Sequence, residues 1–278
     1  MTTSLRPVTI SGSEQISIAG AIGDIVRAAA RWRLWSALAV EDIRQTYRRT
    51  FIGVFWISLS FAIFVIVKVF VFGAITDSLN SEYFGVYLLL GFFGWQFMSL
   101  SVNSGTQVFV NSELWIRSDP IELPAFVFQS VARNMFELFM TGLVAVAVTF
   151  YLGFGDTIYS VMVFPAIIVY LLNAFWVSLL LGVICTRFRD LTHLISAIMR
   201  VMFFLTPIFW FPDQMPEEAM AILYWNPFSH FIWILRTPVL DQQLAVDSWI
   251  VVGAITAVGW AAAMLAYATA RRRLVFWF

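Results

Sequence analysis

The chain has 278 residues, of which 60% are hydrophobic and only 12% are charged, and its mean hydropathy is +0.83. Soluble domains contain about 25% charged residues, so the composition excludes an ordinary soluble domain and predicts an integral membrane protein. Its formal net charge is +0 at pH 7, and no nucleic-acid partner is predicted. The single cysteine, Cys185, excludes an intramolecular disulfide and a cysteine-based zinc site.

The first 50 residues are predicted to lie outside the membrane core. Residues 1–26 have few apolar anchors and no cleavable signal peptide, so they are predicted to form a flexible cytoplasmic tail. Residues 27–50 are predicted to form an amphipathic helix in the membrane interface. Its apolar face carries Trp32, Trp35, Leu38 and Ile43. The alternative is an ordinary helix packed on a partner.

Six later segments are apolar enough to cross a membrane, which needs about 20 residues of helix. They lie at 51–76, 86–110, 133–154, 157–186, 191–211 and 248–270. The fold class predicted is therefore all-α, with a transmembrane domain over 51–270 and a short tail over 271–278.

Arginines occur in alternate loops, and lysine and arginine accumulate on the cytoplasmic side. They lie before the first span, after the second, after the fourth and after the last: Arg27, Arg31, Arg33, Arg44, Arg48, Arg49, Arg117, Arg187, Arg189, Arg271, Arg272 and Arg273. In the loops after the first and third spans, the only charged residues are acidic. Six spans with both termini in the cytoplasm satisfy this pattern.

The region 203–240 is apolar and aromatic but is cut by five prolines. Counting part of it as a seventh span would place the C-terminal arginines outside, and Asn226-Pro227 interrupts its helix. Broken backbone at membrane depth must be covered by protein or face water. Residues 212–247 are therefore predicted to form a re-entrant periplasmic helix hairpin.

Charged residues within spans are usually paired or functional. Arg133 and Glu137 are spaced to form a structural bridge, whereas Arg200 has no acid nearby in the sequence and is expected to meet an interhelical partner or a lipid headgroup. His193 and His230 are too isolated to predict a metal site. No catalytic arrangement is predicted either.

Two further features concern energy coupling and substrate contact. The loop 111–126 mixes apolar residues, acids and two prolines, which suits docking onto a soluble partner. The chain has no phosphate-binding loop for ATP. Aromatic side chains are denser than interfacial belts require, and they are predicted either to line a glycan path or simply to pack: Phe92, Phe93, Trp95, Phe175, Trp176, Phe203, Phe204 and Trp210.

The sequence resembles the membrane subunits of type-2 ABC exporters, most closely the Wzm-like polysaccharide-exporting permeases of O-antigen export. The resemblance extends over most of the chain from about Arg27. It is carried by EDIRQTYRRTFIGVFW (41–56), SDPIELP (118–124), NAFWVSLLLGVICTRFRDL (173–191), FFLTPIFWFP (203–212) and NPFSHFIWILRTPVL (226–240). Capsule and teichoic-acid permeases look similar, so the resemblance does not determine the cargo.

The resemblance implies a homodimer in the bacterial inner membrane that binds two ATPase subunits, with ATP and magnesium on those partners and no cofactor on this chain. It implies an undecaprenyl-pyrophosphate-linked polysaccharide as the substrate, moving along the homodimer interface. The residues implied to contact the lipid pyrophosphate are Arg44, Arg48 and Arg49.

The resemblance also implies two sets of moving parts. The residues implied to couple transport to the ATPase are Glu113, Trp115, Arg117, Glu122, Pro124, Arg187, Arg189 and Asp190. Those implied for the periplasmic gate are Pro216, Asn226, Pro227, His230 and Arg236.

Three alternatives remain open at this point. Within the same class, the cargo is another amphiphile, such as a teichoic acid, a capsule polymer, a drug or haem. In a different class, the chain is a membrane enzyme acting on lipid-linked sugars through Asp213, Glu217 and Glu218. A gated pore without a partner is the third, but it leaves the apolar second loop unexplained.

Overall fold

The structure is a computed structural model that describes residues 17–73, 81–118, 121–212, 216, 220 and 223–278. The described residues form ten α-helices and three short 3₁₀ turns, with further helical residues at 220 and 223–225 and a 3₁₀ residue at 212, and no strand occurs among them. The prediction of an all-helical membrane protein is confirmed.

The helices are numbered in chain order. They are α1 (Ile18–Ala30), α2 (Trp32–Tyr47), α3 (Trp56–Gly73), α4 (Ser81–Gln107), α5 (Glu113–Ser118), α6 (Pro124–Tyr151), α7 (Val163–Arg187), α8 (Leu191–Leu205), α9 (Pro227–Leu240) and α10 (Val246–Ala270). The 3₁₀ turns cover Gly53–Phe55, Ile158–Met162 and Leu274–Phe276.

Five of these helices are long and apolar enough to cross a membrane. They are α3, α4, α6, α7 and α10. Helix α6, for example, has 28 residues. The predicted span 191–211 ends as a helix at Leu205, so α8 has only 15 residues. Its backbone turns away at Thr206, where the conformation becomes extended, just before Pro207. Among the described residues five helices are long enough to span a membrane, and the sixth predicted span is not confirmed.

Helix α4 forms the centre of the bundle. Most of its apolar window, 78%, is buried, against 17% for α3 at the edge. It packs against α3, α6, α7, α8 and α9. Close approach depends on small residues such as Gly105, where an added Cβ would lie 2.7 Å from Ser178 Cα. A helix that is apolar all round belongs inside a bundle, and α4 does so.

The chain ends meet at one end of the bundle, which we call the terminal face. Asp24 on α1 accepts hydrogen bonds from Tyr267 (3.1 Å) and Arg271 (2.7 Å). Leu274 is fully buried. The predicted tail over 271–278 is thus packed against the bundle.

The N-terminal region also differs from its prediction. Helix α1 begins at Ile18, where the Ser17 hydroxyl caps it by accepting from the Gly20 amide, so the tail predicted over 1–26 is helical in its described part. Such a cap contributes about 1 kcal/mol. The single helix predicted over 27–50 is broken at Arg31, and its described end is at Tyr47. Residues 1–16 lie outside the described part.

Helix α2 packs lengthwise along the first half of α6. The Gln129 amide donates to Asp42 (2.7 Å), and Trp35 stacks on Phe128 with ring centroids 5.5 Å apart. Helix α6 begins at Pro124, nine residues before the predicted start of that span, because it continues past the membrane segment to receive α2. Helix α2 is thus a helix packed on another element, as in the alternative prediction, but that element is α6 of the same chain.

Helix α9 is short and almost entirely covered. It begins at Asn226, whose side chain accepts from the Phe228 amide, with Pro227 in the first turn. Both residue types are common at helix starts. The first arm of the predicted hairpin 212–247 lies largely outside the described residues, since only Pro212, Pro216, residue 220 and 223–226 precede α9 there.

Candidate functional site

A groove runs along one side of α4 and is open to the outside of the bundle. Its larger part has a volume of about 740 Å³ and is walled by α3 on one side, with Tyr47 of α2 and Glu137 of α6 at its margin. Its smaller part, about 430 Å³, lies between α4 and α8. The two parts share Trp95, Ser99 and Phe203, so they form one continuous groove.

The floor of the groove is a single face of α4. Its residues recur at helical spacing, since three and four positions apart bring side chains onto one face. They are Phe92, Trp95, Gln96, Ser99 and Asn103. The first two are aromatic and the last three are polar, so the floor changes character along its length.

Helix α8 repeats this division on the facing wall. Ser196 and Arg200 lie nearer the terminal face, whereas Phe203 and Phe204 lie at the other end. The Ser196 hydroxyl donates to Asn103 Oδ1 (2.7 Å), joining the two polar ends. The groove is therefore polar near the terminal face and aromatic farther from it.

Both walls of the groove present exposed apolar stripes. On α3 the stripe follows three- and four-residue spacing through Trp56, Leu59, Ile63, Ile66 and Phe70. On α8 it follows the same spacing through Leu194, Ile198, Val201 and Leu205. Such stripes face lipid or another helix.

Half of the aromatics predicted to line a glycan path border the groove. They are Phe92, Trp95, Phe203 and Phe204. Trp210 lies beside them, where its indole donates to the Phe204 carbonyl (3.1 Å).

The other three aromatics do not line the groove. Phe93 is buried in the core, and Phe175 stacks on Trp260 of α10 at 5.3 Å. The Trp176 indole donates to Asn173 (2.7 Å) on its own helix, and its ring fills the space beside Gly259. Phe175 and Trp176 pack between α7 and α10, and Phe93 packs in the core next to Gly142 of α6, roles that sequence density alone cannot separate from lining a channel.

The three arginines predicted to contact pyrophosphate lie together. Arg44, Arg48 and Arg49 are all exposed at the end of α2. The helix ends after Tyr47, where Arg48 becomes extended, and the left-handed backbone of Arg49 (φ 65°) then turns the chain. Tyr47 in the same turn borders the groove, so the arginines lie at its rim.

Most of the predicted coupling residues are exposed on the terminal face. Glu113 and Arg117 pair at 2.9 Å along α5, and Trp115 is half exposed. Arg187, Arg189 and Asp190 are exposed in the turn between α7 and α8.

The C-terminal residues connect these two elements. Arg117 lies over the Phe278 ring (5.9 Å), and Arg187 lies over the Trp277 ring (5.5 Å). The α5 element and the turn at 187–190 thus belong to one surface.

Two predicted coupling residues point inward instead. The Glu122 carboxylate pairs with Arg31 at 3.0 Å and lies 3.7 Å from Arg27, and its side chain is only 15% exposed. Pro124 is buried in the first turn of α6. Glu122 thus ties the end of α1 to the start of α6, and Pro124 is part of the helix start.

Three predicted gate residues, Asn226, His230 and Arg236, are buried and form a network at the opposite end of the bundle, whereas Pro216 and Pro227 are exposed. Asn226 donates to Thr206 Oγ1 (3.0 Å), which ties α9 to the end of α8. His230 hydrogen-bonds Ser248 (3.1 Å) and the Tyr224 carbonyl (2.9 Å). These contacts connect α9 to both neighbours in the chain.

Arg236 is the most deeply placed charge in this network. It is 3% exposed, donates to the Pro207 carbonyl (2.8 Å) and lies 3.6 Å from the centroid of the Tyr87 ring. Tyr87 itself donates to the carbonyls of Pro207 and Trp210. Arg236 therefore holds the segment that follows α8 against α4.

Comparison with known proteins places this arrangement in a family. The profile of the ABC-2 type transporter family matches residues 33–240, which include both walls and the floor of the groove. The chain belongs to the ABC-2 transporter membrane family. It is a permease, the transport subunit of an ABC transporter, and the predicted family resemblance is confirmed.

Relatives are found at modest identity. An O-antigen export system permease protein RfbA of Klebsiella pneumoniae is 23% identical over 205 residues, 73% of this chain and 79% of the relative. A second O-antigen export system permease protein RfbA from that species is 22% identical over 193 residues, which are 69% of this chain and 74% of the relative. The protein of the same name from Myxococcus xanthus is 24% identical over 203 residues, which are 72% of this chain and 76% of the relative.

The polar floor of the groove is what sequence reasoning missed. Gln96, Ser99 and Asn103 form part of one face of an uncharged span, and Ser196 meets them from α8. The signal was present as polar residues at three- and four-residue spacing within α4. It was not separable from ordinary helix packing until α8 was placed opposite.

Proposed function

We propose that this permease exports an undecaprenyl-pyrophosphate-linked, O-antigen-like polysaccharide, as a homodimer served by two separate ATPase subunits. The observation that carries the proposal is the open groove on α4, with hydroxyl and amide groups at one end and aromatic rings at the other. Hydroxyls and amides hydrogen-bond sugar hydroxyls, and aromatic faces stack on the apolar faces of sugars. The names of the relatives support the same cargo.

The second copy completes the groove. An open groove between two exposed apolar stripes would leave sugar in contact with lipid. Two copies that pair through α3 of one and α8 of the other close it into a channel, and they bury residues such as Ile66 and Val201, which are 66% and 56% exposed in the single chain. Polar lining at membrane depth then faces an enclosed path.

In the proposal the chain crosses the membrane six times, and the position of the chain ends supports this number. Asp24 near the start and Arg271 near the end are paired at the terminal face, so the chain crosses an even number of times. Five long helices supply an odd number. In the proposal, α8 and the residues to 211 make the remaining crossing, and α9 covers the shortened helix. Both termini then lie on the cytoplasmic side in the inner membrane.

The cytoplasmic ends provide the other two contacts. The exposed α5 and the turn at 187–190 serve as the ATPase docking surface, with Leu114 and Phe188 as apolar anchors at 83% and 60% exposure. The arginines at the end of α2 receive the lipid pyrophosphate at the rim, since the planar guanidinium binds phosphate bidentately.

The proposal is tested by blocking the groove. Ser99→Trp places a large side chain where the two parts of the groove meet, and Ala261→Trp adds the same side chain to an exposed position of α10, away from the groove. We expect Ser99→Trp to abolish surface polysaccharide and to leave lipid-linked glycan in the cytoplasm, whereas Ala261→Trp exports normally. Normal export by a stably inserted Ser99→Trp protein would reject the groove as the path.

Dimer geometry is tested separately by cysteine cross-linking in a Cys185→Ser background. Ile66→Cys combined with Val201→Cys is expected to give a covalent dimer on oxidation. The matched pair Ile66→Cys and Ile168→Cys, with Ile168 58% exposed on α7, is expected to remain monomeric. The reverse result would place the interface on α7.

A further inference from the structure

Arg200 is a cation in the groove that has no partner among the described residues. It lines the smaller part of the groove and is exposed there. Within the described part of the chain, no carboxylate pairs with it and no acceptor takes a hydrogen bond from its guanidinium. Its five N–H donors are therefore available to a ligand.

Because Arg200 lies well inside an apolar helix, a charge without a partner is energetically costly there. Arg200 follows Leu191 by nine residues, or about 13 Å along the helix axis at 1.5 Å per residue. Its neighbours in the sequence are Met199 and Val201. Charged residues at such depth face cavities and are associated with the paths of polar substrates.

The surroundings of Arg200 are prepared for a polar ligand. The Asn103 amide donates to the Ser99 backbone carbonyl (2.7 Å) and to the Ser99 hydroxyl (3.3 Å), while Ser196 donates to Asn103 Oδ1, so the Asn103 side chain is held in place from both sides. The residues lining this part of the groove include no acid. An anion entering it meets one positive charge and several hydrogen-bonding groups.

Aromatic rings lie directly beside these polar groups. Trp95, Phe203 and Phe204 line the same part of the groove. A ring face and a guanidinium together match a sugar that carries a carboxylate or a phosphate, since the ring stacks on the sugar and the planar fork binds the oxyanion bidentately.

We propose that Arg200, supported by Asn103 and Ser196, is a binding site for the acidic sugar units of the exported glycan. This inference rests on the proposed function and narrows its substrate class to polysaccharides that carry carboxylate or phosphate groups. The pyrophosphate of the lipid carrier has the same oxyanion chemistry, but it lacks a sugar face for the adjoining aromatic rings and meets arginines at the rim.

Binding to the full-length permease in nanodiscs of uncharged lipid tests the site. The probes are a galacturonate tetramer, a neutral galactose tetramer and inorganic pyrophosphate, titrated against wild type, Arg200→Gln and Arg200→Lys. The matched control is Arg272→Gln, which removes an exposed arginine outside the groove.

We expect the galacturonate tetramer to bind Arg200→Gln at least about tenfold more weakly than wild type, because a charge-assisted bidentate contact is lost. Arg200→Lys should retain part of the affinity, and Arg272→Gln all of it. The neutral tetramer should bind Arg200→Gln and wild type equally. A rising salt concentration should weaken the binding of the galacturonate tetramer and leave the binding of the neutral tetramer unchanged.

Two results would overturn the inference. Equal galacturonate affinity in wild type and Arg200→Gln would show that the arginine binds no acidic sugar. Loss of pyrophosphate binding alone in Arg200→Gln would assign the site to the lipid carrier. Neither result touches the proposed export function, which is rejected only by normal export through a blocked groove.

Discussion

Arg200 and Arg236 are the same residue type in two apolar helices, but they occupy opposite environments. Arg200 on α8 projects into an open groove and makes no hydrogen bond within the described residues. Arg236 on α9 is 3% exposed and donates to the carbonyls of Pro207 (2.8 Å) and Ile208 (3.4 Å). A face-on contact with Tyr87 covers its remaining side.

The difference separates two uses of a charge in a membrane protein. The acceptors of Arg236 belong to the irregular segment after α8, whose carbonyls have no helical partner, so the buried guanidinium replaces the missing backbone donors. Arg200 makes no hydrogen bond or ion pair with the described residues of the fold. A charge that the structure does not use is available for ligand binding, and mutation should therefore affect stability at one position and transport at the other.

The largest expected effect is that of Arg236→Ala. It leaves the Ile208 carbonyl without a donor and opens a cavity between α4 and α9, at a cost of roughly 3–5 kcal/mol. Thermal unfolding in detergent, at about 2–4 °C per kcal/mol for a chain of this size, measures it. Arg236→Met restores most of the volume and should recover part of the loss. A melting temperature unchanged in both variants would show that the guanidinium does not hold the segment.

Gly91→Ala is expected to disturb the contact between Arg236 and the Ile208 carbonyl from the α4 side. A Cβ at this position would lie 2.3 Å from Arg236 Nη2 and 2.9 Å from the Ile208 carbonyl, so the guanidinium and the backbone segment must shift. Overpacking of this kind costs about 1–3 kcal/mol. The control is Gly253→Ala on α10, where nothing lies within 4 Å of the added Cβ. Gly253→Ala should be neutral or slightly stabilising, and similar melting temperatures for both variants would refute the tight fit.

Tyr87→Phe removes one hydroxyl and keeps the ring beneath Arg236. The hydroxyl donates to Trp210 (2.8 Å) and Pro207 (3.2 Å), and its loss should cost about 1 kcal/mol. The thermal shift should be smaller than that of Gly91→Ala. A decrease in melting temperature as large as that of Arg236→Ala would mean that the Tyr87 hydroxyl, rather than the arginine, holds the segment after α8.

These buried contacts mark the limit of what the sequence predicts. Hydropathy located α3, α4, α6, α7 and α10, because a membrane helix must satisfy its backbone within a long apolar run. It overextended α8, because residues 206–211 remain apolar after their backbone leaves the helix. Their hydrogen bonds come from Arg236 and Tyr87, which are distant in sequence.

The candidate site was predictable only in part. The groove aromatics were identified by density, but Phe175 and Trp176 share that density while packing between α7 and α10. The partners of Glu122 are arginines about 90 residues earlier, so its inward orientation depends on where α1 and α2 pack. Composition identifies residues capable of a role, whereas the direction of each side chain depends on tertiary contacts.

Arg200→Gln completes the comparison with the smallest expected effect on stability. Because the guanidinium is exposed and has no partner among the described residues, its replacement should change the free energy of unfolding by less than about 0.5 kcal/mol. The melting temperature should match that of wild type, while export of an acidic polysaccharide falls. A melting temperature as low as that of Arg236→Ala would mean that Arg200 supports the fold as well. Unchanged stability with impaired export of acidic glycan, but normal export of a neutral one, would assign its charge to the substrate alone.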